Sequence, residues 1–273
     1  MVEPRGLAPG RPVRWVLRLV ALAYVGLLVL LPLGTVLWRT FEHGAGPVLE
    51  AISRPEVRHA FGLTAVVALI SVALNTVFGV GMALLLVRTR FPGRRALDFL
   101  LDLPLSVSPI VVGLALILVY GRTGWFGGLL ADLGVAVIFS TPGMVLATVF
   151  VSLPLVLRAV VPVLREAGLE QEQAAQSLGA TAGQRFRRIT LPTIKWAVAY
   201  GVVLSLARGL GEFGAVKVVS GNLLNRTQTA TLVVEQKYQD FEQPAAYAIA
   251  FVLVVVAVLA IVVISIIRPQ EDR

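Results

Sequence analysis

The sequence predicts an all-α integral membrane protein with six transmembrane helices, and three observations carry that prediction. Hydrophobic residues make up 57% of the 273 positions and charged residues 15%, whereas soluble domains average about 45–50% and about 25%. Mean hydropathy is +0.83, an excess of apolar surface that a soluble chain of this size cannot hide. Third, the apolar residues fall into stretches long enough to cross a hydrocarbon layer about 30 Å thick, which takes about 20 residues of helix.

Five such stretches are free of charge: 19–38, 59–87, 103–121, 133–157 and 243–267. A sixth, 196–220, is as long but contains Arg208, Glu212 and Lys217. The first exceeds the roughly 7–15 apolar residues of a cleaved signal and is expected to be retained. Six spans put both termini on one side, and basic residues choose the side. Sixteen Lys and Arg residues fall with the termini, six fall on the other side, and Arg208 and Lys217 lie between. The richer side is the cytoplasm. The net charge of +8 therefore records orientation and lipid headgroup contact, and no nucleic-acid partner is expected.

The expected organisation is a cytoplasmic tail at 1–14, a membrane domain at 15–267 with short loops and a cytoplasmic loop at 165–192, and a second tail at 268–273. Cysteine is absent, so no thiolate chemistry or disulfide framework is available. His43 and His59 lack metal-site spacing and read as a solvated segment; neither a metal nor a cofactor is expected. Prolines at 104, 109, 154 and 162 should kink their helices and free backbone carbonyls, which in lipid must face protein or water.

The longest inner loop, 165–192, carries helical punctuation. Residues 170–178 are helix formers, with Gly179 where a left-handed turn would end them. Thr181 and Gln184 have capping-box spacing, predicting a second short helix, and Pro192 suits the first turn of the next span. Two short helices at about a right angle form either a docking element or an ordinary interfacial loop.

In the fifth span Arg208 and Glu212 stand four residues apart, on one helical face. Charges at mid-bilayer belong against protein or a water path. They either neutralise each other as structural glue or line and gate a path, where the guanidinium fork of Arg208 could greet an anion. Ser106 and Ser108, bracketed by Pro104 and Pro109, either line that path or bond back to the preceding turn.

Within the inner loop, Ala174, Ala175, Gly179, Ile189, Leu191 and Pro192 match in spacing the Glu-Ala-Ala signature loop of membrane subunits of binding-protein-dependent ABC importers, which the chain resembles. Gln173 stands where that family usually has Glu, with Glu172 beside it. The run Ala207-Arg208-Gly-Leu-Gly-Glu-Phe-Gly-Ala215, the third-span run from Leu101 to Gly113 and the tract from Ser140 to Phe150 are similar to sulfate/thiosulfate permeases, the W-type subunit of the pair above all. The resemblance implies the type I importer permease fold and gives Glu172, Gln173, Ala174, Ala175, Gly179, Ile189, Leu191 and Pro192 the role of coupling to an ATPase.

The partners it implies are a second, unlike permease subunit, two copies of an ATP-binding subunit and an extracytoplasmic sulfate-binding protein, in the inner membrane of a bacterium. The sequence has no Gly-x-x-x-x-Gly-Lys-Ser/Thr, so nothing in it would cradle nucleotide phosphates, and the chain is expected to be a transport subunit rather than an enzyme. The competing reading is the permease of a molybdate or tungstate importer.

Overall fold

A computed structural model describes residues 11–267; the predicted tails at 1–14 and 268–273 fall outside it, except that Arg11 to Arg14 open the first helix. That helix is built of α1 (Arg11–Val25), a π turn (Gly26–Leu30) and α2 (Leu31–Phe41). A short α3 (Gly46–Ser53) leads into α4 (Pro55–Arg88), whose 34 residues start on a proline at the first turn, where a missing N–H costs nothing.

The third apolar stretch departs from expectation. Instead of one span at 103–121, the chain forms α5 (Arg94–Ser106) and α6 (Pro109–Tyr120), bent by 112°. Pro109 explains the break: it forces Ser108 and the backbone before it out of the α region, and Val107 and Ser108 both sit at ψ 134°. The fourth span also begins later than 133. Residues 121–140 form an excursion around a single-turn helix α7 (Gly127–Asp132), and α8 (Thr141–Glu166) then runs unbroken through Pro154 and Pro162.

After α8 come α9 (Glu170–Ser177), then α10 (Ala182–Arg185), a π turn (Phe186–Thr190) and α11 (Leu191–Leu210). The predicted second short helix begins at Thr181 but does not end; it continues through the π turn into α11 as one rod, 182–210. The fifth stretch breaks at 211–213 and resumes as α12 (Gly214–Ser220), so 196–220 is not a single helix either. The expectation of short loops does not hold between the fifth and sixth stretches, where α13 (Ala230–Gln239) intervenes before α14 (Gln243–Ile267).

The core lies along α8, which packs α4 on one side and α11 on another. Val156, Leu157, Val160, Leu164, Leu86 and Ile194 fill one end of that seam, and Met144, Ala147, Val216, Val219 and Leu232 the other; all are buried. Gly201 lets α11 approach α8 closely, because a methyl group there would lie 2.8 Å from Val156 Cα. The first helix is different: no described side chain before Thr40 is buried, and Trp15, Leu22, Tyr24 and Trp38 are all exposed. Those side chains fit hydrocarbon or another membrane subunit, and not water.

Between α13 and α14, Glu242 ties three elements together. Its carboxylate accepts from Lys237 Nζ (3.1 and 3.2 Å) and from Arg54 Nη1 (2.9 Å). The Lys237 hydrogen bond first, and the Arg54 bond second, hold the Glu242 carboxyl below its ordinary range. A carboxylate depressed in the folded state adds stability above its unfolded pKa, about 4.3, and loses it as pH falls through the folded value. We therefore expect the melting temperature of the purified protein to fall between pH 7 and pH 4 by less in Glu242→Gln than in the natural chain. An identical fall would show that the clamp adds nothing.

Candidate functional site

The inner loop folds as an anchored elbow. Helix α9 ends at Gly179, whose φ of +85° is the left-handed value an L side chain resists. The capping box then forms as the spacing predicts: Thr181 N donates to Gln184 Oε1 (2.8 Å) and Gln184 N to Thr181 Oγ1 (3.3 Å). Arg185 Nη1 donates to Gln176 Oε1 (2.6 Å), bracing the two arms against each other. Pro192 sits in the first turn of α11, directly after Leu191, the first residue of that helix, and Ile189 lies in the π turn before it.

The tether is Glu172, not Gln173. Glu172 Oε1 accepts from Arg88 Nη2 (3.0 Å) at the end of α4 and from Thr190 Oγ1 (2.9 Å) in the π turn, with Arg88 and Glu172 side chains only 14% and 17% exposed. Gln173 and Ala174 are exposed and Ala175 is half-buried. Leu178 is 89% exposed, an apolar knob at the tip that nothing in this chain covers among the described residues. Arg88 and Thr190 were not singled out from sequence; a basic residue closing a span beside an acid in the next inner loop is the signal that could have found them. Because charge-assisted hydrogen bonds contribute about 1.5–3 kcal/mol, Glu172→Ala is expected to lower transport several-fold. Gln173→Glu is expected to change it less than about twofold, since an exposed charge adds little; uptake assays on the two variants decide.

The rod that starts at the elbow ends at the second candidate region. Arg208 lies in the last turn of α11 and Glu212 just past its end, so they are not on one continuous helix, yet they pair: Arg208 Nη1 stands 2.7 Å from Glu212 Oε2. The two groups are out of line, making this an ion pair rather than an aligned hydrogen bond. Glu212 Oε1 accepts from Ala215 N (3.0 Å), the amide of the first turn of α12, and Thr231 Oγ1 donates to the Glu212 carbonyl (2.9 Å). The carboxylate is thus sealed, its side chain 2% exposed, while Arg208 remains 39% exposed. The asymmetry matters: the acid is held inside and the base faces out.

Lys217 also finds a partner, Glu235 of α13. Sequence reading missed Glu235, which belongs to a polar stretch and carries no spacing signal. Arg158 binds Asp102 through Nε (2.7 Å) and Nη2 (2.5 Å) and Asp98 through Nη2 (2.9 Å), pinning α5 to α8; the i,i+4 spacing of the two aspartates could have revealed it. Ser106 and Ser108 are exposed at the α5–α6 break. Among the described hydrogen bonds neither hydroxyl bonds back to a preceding turn, unlike Thr64, Thr76 and Thr148. The break they mark adjoins the other one: a methyl group on Gly214 would lie 3.1 Å from Pro109 Cβ, so the first turns of α6 and α12 touch.

A cavity of about 500 Å³ beside Phe213 is walled by Val36, Val234, Ala246, Ala250 and Leu253, with Glu235 at its edge. Thr231, Tyr238 and Tyr247 complete a lining that is mostly apolar, and with an acid and no basic side chain among these residues it is a poor site for an anion.

Five or six apolar spans, an anchored elbow at one end of a continuous rod and a charged break at its other end define a membrane protein of many spans with a tethered loop. Comparison with known proteins agrees. Residues 75–271 match the family described as "Binding-protein-dependent transport system inner membrane component", and the chain belongs to it. It is 48% identical over 261 residues to the sulfate transport system permease protein CysW of Synechocystis, covering 96% of this chain and 95% of that one. To the CysT permease of Salmonella typhimurium it is 38% identical, covering 93% and 91%. A crystal structure of a bacterial ABC transporter involved in import of the acidic polysaccharide alginate matches with TM-score 0.78 at 16% identity, covering 95% of this chain and 96% of that one. The last likeness establishes the type I importer fold. Membership makes the chain a transport component of the inner membrane and leaves ATP hydrolysis to a partner subunit.

Proposed function

We propose that this chain is one of two unlike membrane subunits of an ATP-driven importer of sulfate or thiosulfate, with both termini in the cytoplasm. The elbow at 165–192 docks on one of two copies of the ATPase subunit through Gln173, Ala174, Ala175 and Leu178, and an extracytoplasmic binding protein delivers the anion. Relatives named as sulfate permeases support the substrate class, with the CysW relative ahead of the CysT relative in identity; nothing comparable favours molybdate or tungstate.

One observation carries the reading. A single rod, 182–210, continuous through its π turn, joins the elbow to the Arg208–Glu212 break, so a push received at one can be felt at the other. At the break, Arg208 offers an exposed donor fork, and the first turn of α6 adds the positive end of its dipole beside the hydroxyls of Ser106 and Ser108. Such donors pass a dianion without holding it tightly, which release requires.

Deleting the gene should abolish ATP-dependent uptake of radiolabelled sulfate, and the restored gene should return it, with thiosulfate competing and molybdate not. Uptake that survives deletion, or that molybdate blocks more strongly than thiosulfate, overturns the assignment. Affinity purification should bring down a second permease chain and an ATPase; recovery of two copies of this chain alone would refute the unlike pair.

A further inference from the structure

The seam where α4, α8 and α11 meet is unexpectedly polar. Ser71, Asn75, Thr148, Ser152 and Ser205 all lie on it, and none is more than 1% exposed. Most of their polar atoms are paired. Ser71 Oγ donates to the Val145 carbonyl (3.3 Å) and Thr148 Oγ1 to the Met144 carbonyl (2.9 Å). Asn75 Nδ2 donates to the Val149 carbonyl (3.2 Å) and to Ser152 Oγ (2.8 Å), which donates onward to the Thr148 carbonyl (2.5 Å).

Two atoms are left without a partner: Asn75 Oδ1 and Ser205 Oγ. One is an acceptor, the other carries a hydroxyl hydrogen to donate, so they are complementary. They also lie within about one helical turn of each other: α11 runs antiparallel to α4, and a methyl group on Gly209 would lie 3.6 Å from Ala68 Cβ, which brings Ser205 level with Val72, three residues from Asn75. α11 runs antiparallel to α8: a methyl group on Gly201 would lie 2.8 Å from Val156 Cα, and one on Gly209 would lie 3.3 Å from Thr148 Cγ2. Midway between, position 205 falls opposite Ser152, the residue that Asn75 already holds. Unmade bonds this deep in a membrane are costly, and two complementary ones facing one seam call for an explanation.

The surface between them supplies one. Gly201, Ser205 and Gly209 repeat every four residues, so the face α11 turns to α8 is a track without bulk, along which one helix can shift over the other. The same helix carries the elbow at its start and Arg208 at its end.

We infer that Asn75 and Ser205 are a catch on the travel of α11, open in this conformation and closed by a direct hydrogen bond in the other end state of the transport cycle. The catch positions the rod that the transport reading above requires, and it rests on that reading. Bistable elements of this kind convert a small displacement into two defined states. Were Ser205 instead to turn its hydroxyl back to the Gly201 carbonyl, as Thr64 and Thr76 do to their own turns, it would be indifferent to Asn75.

The complete importer, reconstituted in vesicles, tests this by a double-mutant cycle on anion imported per ATP hydrolysed. Ser205→Ala is expected to lower that ratio about tenfold, the equivalent of one hydrogen bond. Asn75→Ala should do the same or more, and the double variant should be no worse than Asn75→Ala alone. Effects that multiply independently overturn the catch.

A second measurement stands apart from both assembly defects and substrate choice. The chain has no cysteine, so Asn75→Cys with Ser205→Cys gives it two thiols only. Disulfide yield on mild oxidation is expected to differ several-fold between the nucleotide-free and vanadate-trapped complexes; equal yields in both refute the proposal. Because this readout needs no transported anion, a failed sulfate assignment silences the uptake assay and leaves the cross-link result standing.

Discussion

Arg208→Met is expected to cost the complex its integrity, because the change strands an acid and not merely removes a base. Glu212 is 2% exposed, and among the described residues its charge is balanced by Arg208, with one backbone amide, Ala215 N, as further support. Breaking a buried pair from one side costs about 3–5 kcal/mol, and lipid offers the carboxylate no refuge. Glu212→Gln is the milder change: the amide oxygen can still accept from Ala215 N, and Arg208, 39% exposed, keeps access to its surroundings. The informative variant is therefore the pair. Arg208→Met with Glu212→Gln should assemble as well as Glu212→Gln alone, since no charge is left buried, yet import anion at least about tenfold more slowly if the guanidinium contributes one charge-assisted contact. Co-purification and uptake on the three variants separate the roles. Normal uptake by the assembled double variant would reduce Arg208 to a counter-ion for Glu212.

Part of this arrangement is legible in the amino-acid sequence and part is not. The spans were legible because lipid leaves composition no freedom: an apolar run of 20 residues has little else to become. The breaks within them were not, although their causes were visible. Pro109 reads as a kink and 196–220 as one span, whereas the backbone breaks outright in both stretches. Whether a proline bends or ends a helix depends on what receives the freed groups, here the abutting first turns of α6 and α12, and that is tertiary information. Periodicity likewise put Arg208 and Glu212 on one helical face. They pair as that spacing predicts, but across a helix end, which is why one is sealed and the other open. In the elbow, local rules sufficed for Gly179 and for the Thr181–Gln184 box. They failed for Glu172, whose partners Arg88 and Thr190 are 84 and 18 residues away in sequence.

Gly179→Val is expected to disconnect ATP hydrolysis from transport while leaving the complex assembled. The position has φ +85°, and a Cβ there would meet nothing within 4 Å, so the obstacle is the backbone and not space. A non-glycine residue in this conformation costs roughly 1–2 kcal/mol, more when it is β-branched. The core along α8 is remote from that strain, so assembly should survive. The elbow relieves it by unwinding the turn between Leu178 and Thr181, which moves the exposed Leu178 knob relative to the rod and disturbs the Arg185–Gln176 brace. Uptake per ATP hydrolysed should then fall at least about tenfold, the factor that 1.4 kcal/mol of lost docking represents. Gly179→Asn is the control, because asparagine adopts the left-handed region at modest cost. It should retain most of the uptake despite carrying a larger side chain than glycine. If valine and asparagine were equally harmful, the damage would lie in contact with the partner surface, and the left-handed turn would not be what the elbow requires.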